Sequence, residues 1–248
     1  NLTSSFGLDN CSSVSNADQT NTDGVADGGD ACDLDDDNDG FADSEEIAAG
    51  TDPLDPNSAP RFTPTTKQEL VAKLNETVPG QSNTYYNGNS AATCGDINTW
   101  DTSLITDMGG LFQYKSSFNC DISNWDVGNV TDMCWMFHYA QTFNQPLNDW
   151  DVSNVILMCT MFQEAFDFNQ PLDKWDVSNV TQMQQMFAWS YDYDQDLSSW
   201  DTSNITNGHF GSFGYLAGFS STNKCKIHEA FKSNPAWLVD SNQNPWCN

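Results

Sequence analysis

The fold is decided by the stretch Leu147-Asn-Asp-Trp150-Asp-Val152-Ser-Asn-Val155, which continues as Ile-Leu-Met158-Cys-Thr-Met161-Phe162. The pattern recurs with a fixed period of 25 residues between positions 96 and 210. Such a period is typical of a solenoid, in which each repeat buries its apolar face only against its neighbours. The residues in register are Trp100, Trp125, Trp150, Trp175 and Trp200, then Met108, Met133, Met158 and Met183, then Phe112, Phe137, Phe162 and Phe187, and finally Phe118, Phe143, Phe168 and Tyr193.

Each repeat combines two kinds of spacing. Trp150 and Val152 alternate with Asp151, which is the period of two expected of a strand. Apolar residues at positions 158, 161, 162 and 165 follow helical spacing and predict one or two helical turns or a 3₁₀ segment. We therefore expect a leucine-rich-repeat-like solenoid of five coils, with short parallel strands on one face and short helices on the other. Stacking would place each large side chain over its equivalent in the next coil. The Trp, Met and Phe columns are therefore predicted to form the buried core.

The repeat motif resembles a known family. F-N-Q-P-L-x-x-W-D-V-S-N-V-x-x-M-x-x-M-F, at residues 143–162 and 168–187, is similar to the repeat of BspA-like leucine-rich-repeat surface proteins, known as DUF285. The resemblance covers roughly residues 62–247. It implies an extracellular or surface-anchored solenoid used for adhesion or interaction, and it implies no catalytic residues.

Charge and cysteine content narrow the class of protein. The net charge is −27, and residues 1–60 carry 15 of the 35 acidic residues and no Lys or Arg. This balance disfavours nucleic acid and anionic membranes as partners and favours cations. No apolar run is long enough to predict a transmembrane segment, and no signal peptide is recognised in the given sequence. The eight cysteines indicate an oxidising, extracellular compartment.

Residues 1–60 are predicted to form an acidic metal-binding arm. Residues 35–46 match the twelve-residue calcium loop D-x-D-x-D-G-x₅-E, in which alternate oxygens of a tight loop converge on Ca²⁺. The alternative is a disordered acidic linker. The predicted ligands are the side chains of Asp35, Asp37, Asp39, Asp43 and Glu46 and the backbone carbonyl of Phe41.

The segment upstream of this loop resembles a thrombospondin type 3 calcium repeat, from Asp9-Asn-Cys11 to Asp30-Ala-Cys32-Asp33. Residues 45–56 are similar to the tail of bacterial versions. The resemblance implies several bound Ca²⁺ ions, although Val25-Ala26 depart from the family pattern. It implies a Cys11–Cys32 disulfide and a second set of ligands, namely Asn21, Asp23, Asp27, Asp30 and Asp33.

The repeats at 96–210 are predicted to be capped at both ends. Residues 61–95 are predicted to form a linker and an N-terminal cap. Within them, Thr66 and Glu69 form a capping-box pattern before an apolar helical face. An interaction helix facing solvent is the alternative. After position 210 the period stops, and residues 211–248 are predicted to form a C-terminal cap with a short helix and a Cys225–Cys247 disulfide.

Two further cysteine pairs obey the period. Cys134 and Cys159 occupy equivalent positions of adjacent coils, and Cys94 and Cys120 are neighbours in the same sense. Both pairs fit the separation that a disulfide requires, about 4.4–6.8 Å between Cα atoms. A zinc site formed by these four residues is the alternative, although no C-x-x-C or histidine cluster accompanies them.

Two polar columns follow the repeats. Aspartates at equivalent positions of stacked coils would lie about 5 Å apart and repel one another. Two arrangements would offset this repulsion. Each Asp accepts hydrogen bonds from its own turn, or the column lines a groove for a cation or another ligand. The Asp column consists of Asp101, Asp126, Asp151, Asp176 and Asp201. The asparagines at the neighbouring position are either turn residues or, within sequons, glycan acceptors. The six sequons are at Asn1, Asn10, Asn75, Asn129, Asn179 and Asn204.

The leading hypothesis is a non-enzymatic, calcium-binding adhesion or structural protein that is secreted or displayed at the cell surface. His138, His209 and His228 are at unrelated positions, and no catalytic motif is present. The expected partner is a protein or glycan of a cell surface or matrix. The alternatives are a glycan- or protein-recognition module using the strand face, and a filament subunit that self-associates end to end. Neither nucleic-acid binding nor membrane insertion is expected.

Overall fold

Regular secondary structure is sparse in this chain. The computed structural model describes residues 3–4, 7–8, 10–11, 14–15, 19–24, 29–39, 41–58, 60–77, 94–206, 212–237 and 246. Strands β1 (Thr3–Ser4) and β2 (Gly7–Leu8) pair antiparallel. The helices are α1 (Asp43–Ala49), α2 (Lys67–Thr77) and α3 (Ser221–Phe231), with a 3₁₀ turn at Ile97–Thr99. None of the described helices has the length and apolar character needed to cross a bilayer.

The chain divides into two compact units, Asn1–Arg61 and Phe62–Asn248. The first contains β1, β2, α1 and the acidic loops. The second contains α2, the repeats and α3, and it holds nearly the whole buried apolar core. Cys11 is the only fully buried apolar side chain described in the first unit. The first unit is therefore stabilised mainly by polar contacts and a disulfide.

The predicted leucine-rich-repeat-like solenoid of short strands and short helices is wrong. The repeats at 100–206 consist of turns, and the only ladder described there is a set of isolated parallel bridges that join residues 107, 132, 157 and 182. The reason is a pair of left-handed residues four positions apart in each coil, such as Trp135 with φ of 59° and Tyr139 with φ of 61°. A left-handed residue interrupts both a strand and a right-handed helix.

The side-chain columns expected from the period are confirmed. Phe112, Phe137, Phe162 and Phe187 stack with centroids 5.3, 5.3 and 5.5 Å apart. Trp100 lies 6.2 Å from Trp125, and Trp175 lies 6.3 Å from Trp200. The four Phe side chains are fully buried, as are Met108, Met133, Met158 and Met183. Each coil therefore completes its core with the side chains of its neighbours.

Polar groups of successive coils form hydrogen bonds with one another although no continuous β-sheet is present in the described repeats. Alternate backbone N–H groups of one coil donate to carbonyls of the next, as in Phe112 to Met136 at 2.8 Å and Tyr114 to His138 at 2.8 Å. The buried indole N–H of Trp125 donates to the carbonyl of Ile97, also at 2.8 Å. The later tryptophans repeat this bond to the preceding coil. The turns therefore replace strand pairing as the main links between coils.

Both ends of the stack are covered. Helix α2 begins after Thr66, whose hydroxyl accepts the N–H of Glu69 as the capping-box pattern predicts, and it buries Leu70 and Leu74. At the other end Asp194 accepts the N–H of Ser220, which in turn caps α3. A cluster of buried aromatic rings completes this end, namely Phe213, Phe219, Phe231, Trp237 and Trp246.

Tyr193 offers a test of core packing. It occupies the column that Phe168 fills one coil earlier, and its buried hydroxyl has no hydrogen-bond partner in the described part of the chain. Because an unpaired buried hydroxyl is costly, we expect Tyr193→Phe to leave the free energy of unfolding unchanged or raise it by about 1 kcal/mol. The matched variant Phe168→Tyr should lower it by about 1–3 kcal/mol. Urea titration at fixed calcium measures both, and a clear loss of stability in Tyr193→Phe would contradict this account.

Candidate metal centre

Three carboxylates of the acidic loop converge. Asp35, Asp37 and Asp39 each place one oxygen within 4.8 Å of the other two. The loop is shaped by its own backbone donors, since the N–H of Asp39 donates to Asp37 at 3.1 Å and the N–H of Phe41 donates to Asp39 at 2.9 Å. Asp37 and Asp39 therefore each have one oxygen that fixes the turn and one oxygen that accepts no hydrogen bond from the described residues.

Several of those remaining oxygens are buried. Oδ2 of Asp37, Oδ2 of Asp39 and Oε2 of Glu46 are shielded from solvent and lack a hydrogen-bond donor among the described residues. Glu46 is fully buried at the start of α1, and its other oxygen accepts the Thr51 hydroxyl at 3.4 Å. Buried carboxylate oxygens require compensation by a donor or a cation. This arrangement could hold a metal ion.

Burial and mutual repulsion act on the same groups. Desolvation raises the pKa of Asp37 above its ordinary value, with the charges of Asp39 and Asp35 adding to the increase. Desolvation likewise raises the pKa of Glu46, and the charges of Asp37 and Asp39 contribute. Glu46 is therefore electrostatically coupled to the three-carboxylate cluster. A bound cation would reverse this repulsion.

The other predicted loop ligands have different surroundings. Oδ1 of Asp43 accepts the N–H of Asp36 at 2.9 Å, so this carboxylate ties the two ends of the loop together. Asp43 is not one of the three carboxylates that converge. The glycine at position 40 lies outside the described residues. The loop therefore brings together Asp35, Asp37 and Asp39, and its other ligand assignments remain predictions.

The second predicted ligand set is held by local hydrogen bonds. Asn21 Oδ1 accepts the N–H of Gly24 at 2.7 Å, and Asp33 Oδ1 accepts the N–H of Leu34 at 2.6 Å. Asp30 accepts both the N–H and the hydroxyl of Thr22, while Asp23 accepts the amide of Asn38 at 3.3 Å. Asp27 lies outside the described residues. Among the described members of this set the carboxylates do not converge, and their role as ligands remains a prediction.

Asp36 is the acidic residue that the loop motif does not identify. It is buried, and its Oδ1 lacks a hydrogen-bond donor among the described residues. Desolvation, followed by the charges of Asp43, Asp30 and Asp33, raises its pKa to about 6. The second position of a calcium loop is not a ligand position, so spacing alone gives no signal for it. Only in the folded arm does this carboxyl come close enough to Asp43, Asp30 and Asp33 for their charges to raise its pKa.

The cysteines form links within each unit. Cys11 and Cys32 are disulfide-bonded in the arm. Cys94 is bonded to Cys120, and the Cys134–Cys159 bond joins equivalent positions of adjacent coils with Cα atoms 4.6 Å apart. Disulfides, and not a zinc site, thus account for the four cysteines near or in the repeats. The predicted Cys225–Cys247 pair includes position 247, which lies outside the described residues.

The Asp column stabilises its own turns. Oδ1 of each Asp accepts the N–H two residues later, as in Asp151 to Ser153 at 3.1 Å and Asp176 to Ser178 at 3.0 Å. Hydrogen bonds from the serine hydroxyls, together with these backbone bonds, lower the pKa of Asp151 and of Asp176. The same bond recurs at Asp101, Asp126 and Asp201. The turn explanation therefore accounts for this column without a ligand.

The sequon asparagines of the repeats are also engaged in turns. Nδ2 of Asn129 donates to the Ser103 carbonyl at 2.8 Å, and Asn179 and Asn204 make the same bond to the preceding coil. Outside the repeats, Asn10 donates to the Thr20 carbonyl and Asn75 accepts from Lys115. Asn1 lies outside the described residues. In the repeats the amide nitrogen that a glycan would modify is already used by the fold.

The raised pKa values predict how the metal-free arm responds to pH. Because Asp36, Asp37 and Glu46 hold protons more tightly in the folded arm than in the unfolded chain, the folded arm gains stability as pH falls. For Asp36 that contribution is complete below about pH 4 and is lost as pH rises through about 6. Asp37 and Glu46 contribute in the same direction. Hydrogen exchange of residues 1–61 in a chelator should show stronger protection at the lower pH. A protection that increases with pH would contradict the assignment.

Two family models match this chain. Residues 81–200 match the family described as "Mycoplasma protein of unknown function, DUF285". Residues 35–56 match the bacterial TSP3 repeat. Searches of curated proteins and of solved structures return no match. The resemblance to DUF285 is thereby confirmed over residues 81–200, and the resemblance to a bacterial TSP3 repeat is confirmed over residues 35–56. The resemblance of residues 9–33 to a thrombospondin type 3 repeat stays a prediction.

Proposed function

We propose that this protein is a calcium-binding adhesion or structural protein of the extracellular space or cell surface, with the stacked repeats as its interaction surface. The observation that carries the calcium assignment is the convergence of Asp35, Asp37 and Asp39. Buried oxygens of Asp37, Asp39 and Glu46 that lack donors among the described residues support it. The role is proposed to be non-catalytic.

The donor set favours Ca²⁺ over softer metals. Ca²⁺ is a hard cation that takes six to eight oxygens, and the loop offers carboxylates and a backbone carbonyl. Asp35, Asp37 and Asp39 would each supply one oxygen, Glu46 would supply two, and the Phe41 carbonyl would complete the shell together with Asp43 or a water. The ion would neutralise carboxylates that otherwise repel. Because the arm has little apolar core, ion binding and folding of the arm would be coupled.

The disulfides support an extracellular location. Disulfide-bonded cysteines are typical of oxidising compartments and rare where thiols are kept reduced. The chain has one such bond in the arm and two that involve the repeats.

The partner is proposed to be a protein or glycan of a cell surface or matrix. Contact would be made by the sides of the stack, because α2 and the C-terminal aromatic cluster cover its ends. Covered ends argue against end-to-end assembly into a filament. The net charge of −27 argues against nucleic acid and against anionic membranes.

Calorimetry of the full chain tests the calcium assignment. Ca²⁺ should bind with measurable heat, and Asp37→Asn and Glu46→Gln should each weaken the affinity on the order of tenfold or more, since each removes a charged ligand. Asp201→Asn is the matched control, because it makes the same change at an exposed carboxylate that serves only a turn. Absence of heat at millimolar calcium, or equal losses in Asp37→Asn and the control, would contradict the proposal.

A further inference from the structure

A ladder of side-chain amides runs along one side of the stack. The amide nitrogen of Gln145 donates to both the backbone carbonyl and Oδ1 of Asn119 in the coil before, at 3.0 and 2.9 Å. These two residues are 26 positions apart, and we call such a linked pair a rung. The same two bonds recur in the next coils, from Gln170 to Asn144 and from Gln195 to Asn169.

The C-terminal helix closes the last rung. Asp194 takes the place of the asparagine, and Nδ2 of Asn223 in α3 donates to its carbonyl at 2.9 Å and to its Oδ1 at 2.8 Å. The N–H of Ser220 also donates to Asp194, as the N–H of Asn144 donates to Asn119 one coil after another in the repeats. Helix α3 therefore ends the ladder with the bonds that a further coil would make.

At the other end of the ladder the rung is a disulfide. Cys94 and Cys120 are also 26 positions apart, and they lie one period of 25 residues before Asn119 and Gln145. The register extends this far, because the indole N–H of Trp125 donates to a carbonyl of the preceding coil in the same way as the later tryptophans. The first rung thus has a covalent bond where the later rungs have amide hydrogen bonds.

Reduction would leave the first rung without an amide to replace the disulfide. A cysteine thiol offers a weak donor and a weak acceptor, whereas each later rung makes two N–H···O bonds. The Cys134–Cys159 bond differs in this respect, because the Asn144–Gln170 rung joins the same two coils. Among the rungs that the structure describes, only the first depends on sulfur.

The two sulfurs of the first rung differ in burial. Cys120 is fully buried, while Cys94 is half-buried at the edge of the same core. Both residues of the Cys134–Cys159 bond are buried, with 3 % and 5 % of their surface exposed. Thiol–disulfide exchange begins when a thiolate reaches one of the two sulfurs. Cys94 therefore offers an approach that Cys134 and Cys159 do not.

Charge distinguishes the first rung from the disulfide of the arm. Cys32 is half-buried like Cys94, but it lies between Asp30 and Asp33 in a segment that has 15 acidic residues and no Lys or Arg. Carboxylates repel an anionic thiolate. Helix α2, whose end lies next to position 95, is balanced, with two lysines and two glutamates. A thiolate would thus approach Cys94 against less repulsion.

We propose that the Cys94–Cys120 bond is a thiol-exchange site whose substrate is a low-molecular-weight thiol. A thiolate attacks Sγ of Cys94, the S–S bond breaks, and the Cys120 sulfur leaves as a thiolate that takes a proton from water. A second thiol then displaces the first from Cys94. The products are two protein thiols and one small-molecule disulfide, so the protein gains two electrons. The N-terminal end of the stack loosens, while the later rungs stay closed.

The order of exchange is measured on the full chain in millimolar calcium. Wild type is incubated with increasing ratios of reduced to oxidised glutathione, quenched and alkylated, and the cysteine peptides are quantified by mass spectrometry. We expect Cys94 and Cys120 to be alkylated about tenfold or more faster than the cysteines of the Cys11–Cys32 and Cys134–Cys159 bonds. Equal rates, or earlier alkylation of either of those bonds, would overturn the proposal.

Two double variants test the rung itself. Cys94→Asn with Cys120→Gln installs the amide pair of the later coils, whereas Cys94→Ser with Cys120→Ser removes the disulfide and supplies no amide pair. We expect hydrogen-exchange protection of residues 97–118 to stay near that of wild type in the first variant and to fall about tenfold or more in the second. Residues 144–200 should be unchanged in both. Glutathione should lower the protection of wild type to that of the second variant and leave the first unchanged.

The variants also define the results that contradict the proposal. Wild-type protection of residues 97–118 in the second variant would show that the bond does not hold the end of the stack. Protection in the first variant no better than in the second would show that an amide pair cannot replace the disulfide. If the second variant does not fold, wild type reduced by glutathione serves as the unlinked state in both comparisons.

Discussion

The repeat region depends on contact between equivalent large side chains of successive coils. The phenylalanine rings of neighbouring coils lie 5.3–5.5 Å apart and are fully buried, yet each ring is covered only because another coil follows. Burying such a side chain is worth about 1.5–3 kcal/mol. A single coil cannot obtain this energy alone, so stability accumulates by nearest-neighbour contact and the terminal coils need covers. Leu70 and Leu74 of α2 cover the first coil, and rings such as Phe213 cover the last.

Apolar stacking of this kind is possible because the polar groups of each coil are paired separately. Buried indole N–H groups bond to the coil before, and alternate backbone N–H groups bond to the coil after. On the outside, each Asp closes its own turn and each Asn links to the previous coil, as Asp151 and Asn154 do. Repeated polar residues that resemble a binding groove in the sequence are thus explained by the demands of the turns.

The sequence predicted the columns but not the backbone that carries them. Period alone places Phe137 over Phe162, since burial requires the large residues to meet. The helical spacing of Met158, Met161 and Phe162 arises instead from a series of turns, whose left-handed residues are here Thr160 and Glu164. Neither is a glycine that would mark a turn, which is why strand and helix were expected. In the arm, the loop motif identified the three converging carboxylates, whereas Asp36 depends on tertiary proximity that spacing does not encode.

The distribution of the crosslinks bears on how the molecule would respond to tension. The Cys94–Cys120 and Cys134–Cys159 bonds each enclose about one coil, with sequence separations of 26 and 25 residues. A pulling force cannot extend the chain enclosed by a disulfide. Each loop therefore reduces the length that the chain can reach on unfolding by on the order of 85–90 Å. Coils beyond position 159 up to 206 hold together through packing and hydrogen bonds alone. Under load the later coils would separate first, and the disulfide-closed coils at the N-terminal end of the stack would stay folded longest.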